Sequence, residues 1–382
     1  MTLKVSARGG VAPFIVMDVL RAANERAASG KDVLHLEVGQ PSTPAPKGVT
    51  AAARAALDKE VLGYTDAVGL PALRRAIAGF YGTRYGVACD PARIVVTTGS
   101  SAGFILACLA GFDAGDKVAI AAPGYPAYRN ILRALDLVPV ELSVGPAERY
   151  QVTLDLLRAA GPDLEGLIVA SPANPTGTML PAAELAAIAD YCRGAGIRLI
   201  SDEIYHGITY GAAASTALAH DPQAIVVNSF SKYFSMTGWR IGWMVVPDDM
   251  LRAVDCLAQN LFVSPPSLSQ HAACAAFDCL PELDANVARY AENRALLLEE
   301  LPRAGFDRLA PSDGAFYLYA DIGHLTNDSD EFCRRLLRET GVALTPGIDF
   351  DPARGRSTLR LCYAGTAETI AAAARQLKNW RR

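Results

Sequence analysis

The chain has 382 residues, 51% of them hydrophobic and 20% charged. It is too long for one ordinary core and too apolar for disorder, so two packed domains are expected. A net charge of -4 without any basic run argues against nucleic acid as a partner, and no segment reaches the roughly 18 consecutive apolar residues that a membrane-spanning helix needs.

Along the chain, the apolar patch from Val11 to Leu20 is broken by Pro13 and Asp18 and lacks a small-residue cleavage site, which makes it a poor signal peptide. Short apolar runs then alternate with helical patterns. The runs are Ile94 to Thr97, Val118 to Ala121, Val138 to Leu142, Leu167 to Ala170, Ile197 to Ser201, Ala224 to Asn228 and Ile241 to Val246. Helices are legible between them, as at Ala102 to Phe112 and at Pro181 to Ala195, which begins at proline and ends at glycine. This alternation predicts an α/β fold whose large domain holds a mostly parallel, seven-stranded sheet covered by helices on both faces. The stretch from Ser229 to Arg240 is too short to carry a crossover helix, so the last of the seven strands is predicted to run antiparallel. From Pro281 the pattern changes to a long charged helix over Glu282 to Leu301, a strand at Ala315 to Ala320, a helix at Ser329 to Thr340, a strand at Thr358 to Cys362 and a final helix from Ala367. These belong to a smaller α+β domain. The eight cysteines are scattered without a CxxC pair, as expected of free thiols in a reducing cytoplasm, and the five histidines have no metal-ligand spacing.

In an open α/β sheet, ligands gather beyond the carboxyl ends of the parallel strands. Asn174 follows the run ending at Ala170, Asp202 follows the run ending at Ser201, and Lys232 follows the run ending at Asn228, so all three reach one edge. Asp202 abuts Leu199 and Ile200, where an unpaired carboxylate is costly and a cationic partner would offset the cost; capping a helix at Asp202-Glu203 is the plainer alternative. Thr98-Gly99-Ser100-Ser101 forms a small-residue turn into an apolar helix, whose free amides suit a phosphate. Lys232, beside Ser229 and Ser231 and close to Arg240, has the surroundings that a cofactor with both an aldehyde and a phosphate requires. Arg360 stands among apolar neighbours in Leu359 to Tyr363, and a buried arginine calls for an anion.

Together, TTGSS at Thr97 to Ser101, SPANPTGT at Ser171 to Thr178, SDEIY at Ser201 to Tyr205 and SFSKYFSMTGWRIGW at Ser229 to Trp243 resemble the class I/II aminotransferases of pyridoxal phosphate fold type I, the aspartate aminotransferase-like superfamily. The resemblance runs in order from Gly39 to Arg360. It implies a pyridoxal 5'-phosphate (PLP) enzyme exchanging an amino group between an L-amino acid and a 2-oxo acid, with a carbon-sulfur lyase or β-eliminase of the same fold as the alternative. It further implies that Lys232 joins the cofactor as a Schiff base and then shuttles the substrate's α-proton. Asp202 would pair with the ring nitrogen, Asn174 and Tyr205 would contact the ring's phenolic oxygen, and Tyr125 would stack on the ring. Gly99, Ser100, Ser101, Ser229, Ser231 and Arg240 would hold the phosphate, with Tyr64 reaching it from the other subunit of a homodimer with shared sites. Arg360 would grip the substrate carboxylate, with Gly39 closing over it, and Asn174-Pro175 would be a cis peptide. His206 is expected to pack rather than react. Residues 1–44 are assigned to the small domain with 281–382, leaving 45–280 as the large PLP-binding domain. The loop Gln259 to Ser267 has no basic residue, which tilts the substrate toward neutral or hydrophobic amino acids.

Overall fold

The central strands are apolar at consecutive positions because they are covered on both sides. In the computed structural model, which describes residues 3–380, the chain opens with helix α1 (Ile15–Ala28), strand β1 (Leu34–His35), α2 (Lys47–Lys59) and α3 (Pro71–Tyr85). The large sheet comprises β2 (Ile94–Thr97), β3 (Lys117–Ala122), β4 (Val138–Ser143), β5 (Gly166–Ala170), β6 (Arg198–Asp202), β7 (Ile225–Ser229) and β8 (Gly242–Val245). Helices α4 (Gly99–Gly111) and α5 (Pro126–Ala134) follow β2 and β3. The spatial order is β2-β8-β7-β6-β5-β3-β4, parallel throughout except for β8, which is antiparallel to both neighbours. The reversed strand is therefore the one predicted from its short connection.

Alternate residues of each strand enter different cores. Leu167 and Val169 pack on one face of β5 and Ile168 on the other; Val226 is likewise divided from Ile225 and Val227 in β7. Phe104 of α4 and Leu132 of α5 cover the second face, while Ile77 and Tyr81 of α3 join the first.

Beyond the large sheet lie β9 (Arg308–Leu309), β10 (Tyr317–Asp321), β11 (Val342–Ala343), β12 (Thr345–Pro346) and β13 (Thr358–Cys362). Four of them form an antiparallel sheet in the order β12-β13-β10-β9, and β11 pairs in parallel with β1. That pairing sets Leu34 opposite Val342 and ties the start of the chain to its C-terminal part.

Several boundaries differ from the sequence reading. α4 starts at Gly99 rather than Ala102, so Ser100 and Ser101 sit in its first turn among amides that have no intrahelical partner. The long charged helix extends over Leu280–Arg303, and the strand expected from Ala315 begins at Tyr317. Pro181 is the N-cap of the helix Ala182–Ala195, which closes on Gly196 in the left-handed conformation. No helix follows Asp202-Glu203. Among the described residues no helix is long and apolar enough to cross a membrane.

Candidate active site

Every strand of the large sheet except β8 points toward one edge, and β8, running the other way, begins there. β2 delivers Ser100 and Ser101 through the start of α4, β3 delivers Tyr125, β5 the loop bearing Asn174, β6 its last residue Asp202, and β7 the loop bearing Ser231 and Lys232. Arg240 reaches the same edge because it lies just before the reversed strand. These side chains, with Gly39, Tyr205 and Arg360, line a cavity of about 210 Å³.

Three predicted residues stand off the lining. Ser229 is buried behind Ser231, with its Oγ 2.9 Å from Ser231 Oγ and accepting the Ser231 N–H at 3.0 Å. Gly99, at φ +73°, lies under Arg240: a Cβ there would come within 2.6 Å of Nη2, so only glycine lets the guanidinium lie across the start of α4. Tyr64, between α2 and α3, is 88% exposed in this chain. The Asn174–Pro175 peptide is cis, as the family resemblance implies.

Among the described residues, the cations of the cavity have no carboxylate partner. Lys232 Nζ donates to Gly39 O at 2.6 Å, and Arg240 Nη1 donates to Thr237 O at 3.1 Å. Arg360 donates to Asn174 Oδ1 at 2.8 Å, to Thr345 Oγ1 at 3.3 Å and to the Glu37 carbonyl, all uncharged. Its Nε is buried without a hydrogen-bond partner. The Arg360 guanidinium lies 4.5 Å from the Tyr317 ring centroid and 4.8 Å from that of Phe350, which fixes the plane of its fork. A ligand carrying two separate anionic groups would complete this arrangement.

The two groups suited to proton chemistry are both shifted. Burial draws the Lys232 ammonium down to about 8, helped by Arg360 and Arg240 and opposed by Cys362 and Asp202. Burial pushes the Asp202 carboxyl up to about 6, while hydrogen bonds from Tyr128 and from the Ile204 N–H (3.1 Å) and the charge of Lys232 hold it lower than burial alone would. A partly deprotonated amine and a buried acid seeking a cation therefore share one cavity. Tyr205 OH meets Tyr317 OH at 2.6 Å, and a Cβ on Gly39 would collide with that same Tyr317 hydroxyl at 1.9 Å, so the backbone at position 39 approaches the site as closely as glycine allows.

A family model described as "Aminotransferase class I and II" matches residues 31–377. The valine--pyruvate aminotransferase of Mycobacterium tuberculosis is 54% identical, across 100% of this chain and 99% of its own length. A crystal structure of an aminotransferase from Mycobacterium tuberculosis superposes with a TM-score of 0.97 at 54% identity, covering 99% of each chain. The aspartate aminotransferase of Thermus thermophilus with maleate does so with a TM-score of 0.93 at 31% identity, again over 99% of each.

The chain belongs to the class I and II aminotransferases. It transfers an amino group between an amino acid and a 2-oxo acid, and its cofactor is pyridoxal 5'-phosphate. These relatives are named for amino-group transfer, and nothing supports the lyase alternative. The donor set fits the cofactor: an amine for its aldehyde, the α4 amides with Arg240 for its phosphate, and a buried carboxylate for its ring nitrogen.

Sequence reasoning missed other parts of this aminotransferase site. Tyr128, which binds Asp202, lies one helical turn from Tyr125 and was open to discovery by that spacing. Tyr317, Thr345 and the apolar wall of Phe14, Val16 and Met17 arrive from distant sequence and left no local signal.

His206 packs beneath the site, as expected. Its Nε2 lies 2.9 Å from Ser171 O, which can only accept, so Nδ1 takes the Tyr85 hydroxyl at 2.8 Å. Burial pushes His206 down to about 3 and its neighbour Glu203, 3.5 Å away, up to about 8, so both are uncharged at neutral pH. The raised carboxyl fixes a sign. Stability from Glu203 is full below its free value of 4.5 and is lost as pH rises toward about 8. Glu203→Gln, which cannot ionise, is expected to melt above the parent by a margin that widens from pH 5 to pH 8. A margin independent of pH would mean that Glu203 is ionised throughout.

Proposed function

We propose that this aminotransferase acts on neutral, apolar L-amino acids of about the size of valine, with pyruvate or a similar small 2-oxo acid as acceptor. One observation carries the reading: among the described residues of this chain, Lys232, Arg240 and Arg360 are the only lysines or arginines lining the cavity, and all three are committed. Arg240 faces the phosphate, Lys232 the aldehyde, and Arg360 the α-carboxylate, which leaves this chain no described cation at the cavity for a second substrate carboxylate. Phe14, Val16, Met17 and Ile131 supply an apolar lining instead. The name of the 54%-identical relative supports the same choice.

In this reading pyridoxal phosphate, once bound, supplies an aldehyde that captures the amino group and a ring that draws electrons from the α-carbon. Asp202 would hold the proton on the ring nitrogen. Ser100, Ser101 and Ser231 would bind the phosphate with Arg240, Ser229 bracing Ser231 from behind. Tyr125 would cover the ring, and Asn174 and Tyr205 would contact its phenolic oxygen. Arg360 orients the substrate through a bidentate bond to its carboxylate, with Gly39 closing over it. Lys232 carries the proton from the α-carbon, a role that its lowered basicity suits.

The exposure of Tyr64 supports a homodimer in which this residue reaches the phosphate of the neighbouring subunit. The eight free thiols agree with a cytoplasmic setting. The division into 1–44 with 281–382, and 45–280, is supported by the β1–β11 pairing and by the two separate sheets.

Single-turnover half-reactions with valine, alanine, aspartate and glutamate, followed by the change in cofactor absorbance, test the substrate reading. Valine is expected to outpace aspartate by about tenfold or more in kcat/KM. Aspartate outpacing every neutral amino acid would overturn it.

A further inference from the structure

Helix α1 begins with a residue that cannot cap it. Phe14 occupies the N-cap position at φ -92° and ψ 97° and offers no side-chain acceptor to the free amides of the first turn. The acceptor comes from more than 300 residues away: Asp349 Oδ1 takes the Ile15 N–H at 3.0 Å and Oδ2 the Val16 N–H at 3.2 Å. Asp349 is buried at the end of the turn Gly347–Asp349 that follows β12, and its charge meets the positive end of the helix.

With the cap supplied from outside, the position that a helix normally gives to serine, threonine or aspartate is free to carry an aromatic ring. That ring stands edge-on to Tyr125, with centroids 5.8 Å apart, and lines the cavity with Val16 and Met17. The remainder of α1 is anchored by Ala23, which packs with Leu337 and Ala343. The capping segment is in turn tied to the cavity walls. Arg129 of α5 donates to Asp349 O at 3.4 Å, Gly124 N–H donates to Phe350 O at 3.1 Å, and Phe350 supports Arg360.

We propose that Asp349 is a positioning residue for substrate side-chain selection: it fixes the start of α1 so that Phe14, Val16 and Met17 form the wall against which a branched apolar side chain packs. The proposal rests on the neutral-substrate reading above. Alanine, with only a methyl group, gains little from this wall, whereas valine gains from it.

The holoenzyme variants Asp349→Ala, Asp349→Asn and Phe14→Ala, assayed with valine and with alanine, test it. Asp349→Ala is expected to lower kcat/KM for valine about tenfold, mainly through KM, and that for alanine by less than about twofold. Asp349→Asn, which keeps one acceptor, should recover part of the loss. Phe14→Ala should reproduce the selectivity change with the cap intact, and the double variant should be no worse than either single one. Hydrogen exchange at the Ile15 and Val16 amides should quicken in Asp349→Ala and not in the parent. Equal losses for both amino acids, or an unchanged ratio despite faster exchange, would overturn the proposal. If Asp349→Ala does not fold, Phe14→Ala and Asp349→Asn decide. A parent that prefers aspartate refutes the neutral-substrate reading and this inference with it; a parent that prefers valine, with a ratio indifferent to these variants, refutes this inference alone.

Discussion

Lys232→Ala is expected to abolish the visible absorbance of the holoenzyme and to lower amino-group transfer by about 10⁴-fold or more, because it removes both the covalent anchor and the proton carrier. Among the described residues no other lysine lines the cavity. Borohydride reduction followed by peptide mapping should place the label on Lys232, and a label on any other lysine would remove it from the role. The same variant tests the shared site. When Lys232→Ala and Tyr64→Phe subunits are co-assembled, both defects fall in one site of the mixed dimer and the other is left whole. Mixed dimers should therefore regain tight cofactor retention at half their sites, whereas a Tyr64 acting within its own chain leaves every site defective.

Arg360→Lys is expected to lower kcat/KM about 10²-fold for amino acids and 2-oxo acids alike, with cofactor absorbance unchanged. The wild-type guanidinium is buried at 2% exposure between two rings, with an unpartnered Nε, and is poised for a two-point bond to a carboxylate. A lysine offers a point charge in place of the fork. The loss corresponds to about 3 kcal/mol, in the range for a charge-assisted bond in a desolvated setting. Isobutylamine, which has no carboxylate, is the control. If it loses as much as valine does, Arg360 shapes the cavity rather than gripping the substrate.

The parts of this site legible in the sequence are those fixed by local geometry. Asn174, Asp202 and Lys232 could be placed at one edge because each follows an apolar run, and run length with connection length sets strand direction. Arg240 came with them because it lies eight residues after Lys232 in the same short segment. The start of α4 was misplaced by three residues because Gly99 and the two serines have weak helix propensity, while tertiary packing extends the helix through them. What stayed hidden depends on contacts distant along the chain. Tyr317 against Tyr205, Thr345 against Arg360 and Asp349 at the head of α1 all join segments more than a dozen residues apart. No periodicity records such partners. His206 was expected to pack because the histidines lack metal-ligand spacing, and it is buried against Ser171 O and the Tyr85 hydroxyl.

The reversed strand has a further consequence for how such a chain can change over generations. Ser229 faces Gly242 across the β7–β8 ladder, so the segment between them leaves the sheet and re-enters it on adjacent strands. Its ends cannot separate while the ladder holds, and Lys232 and Arg240 are both within it. Lys232 and Arg240 are thus carried together on a single closed loop, while Ser100, Ser101, Tyr125 and Asp202 come from other strands of the same sheet. Arg360, Thr345, Asp349 and the wall at 14–17 come from the other sheet and the segments packed on it, so drift there alters what fits in the cavity while leaving that loop untouched. Substitutions on the two sheets can in this way reach different walls of one cavity.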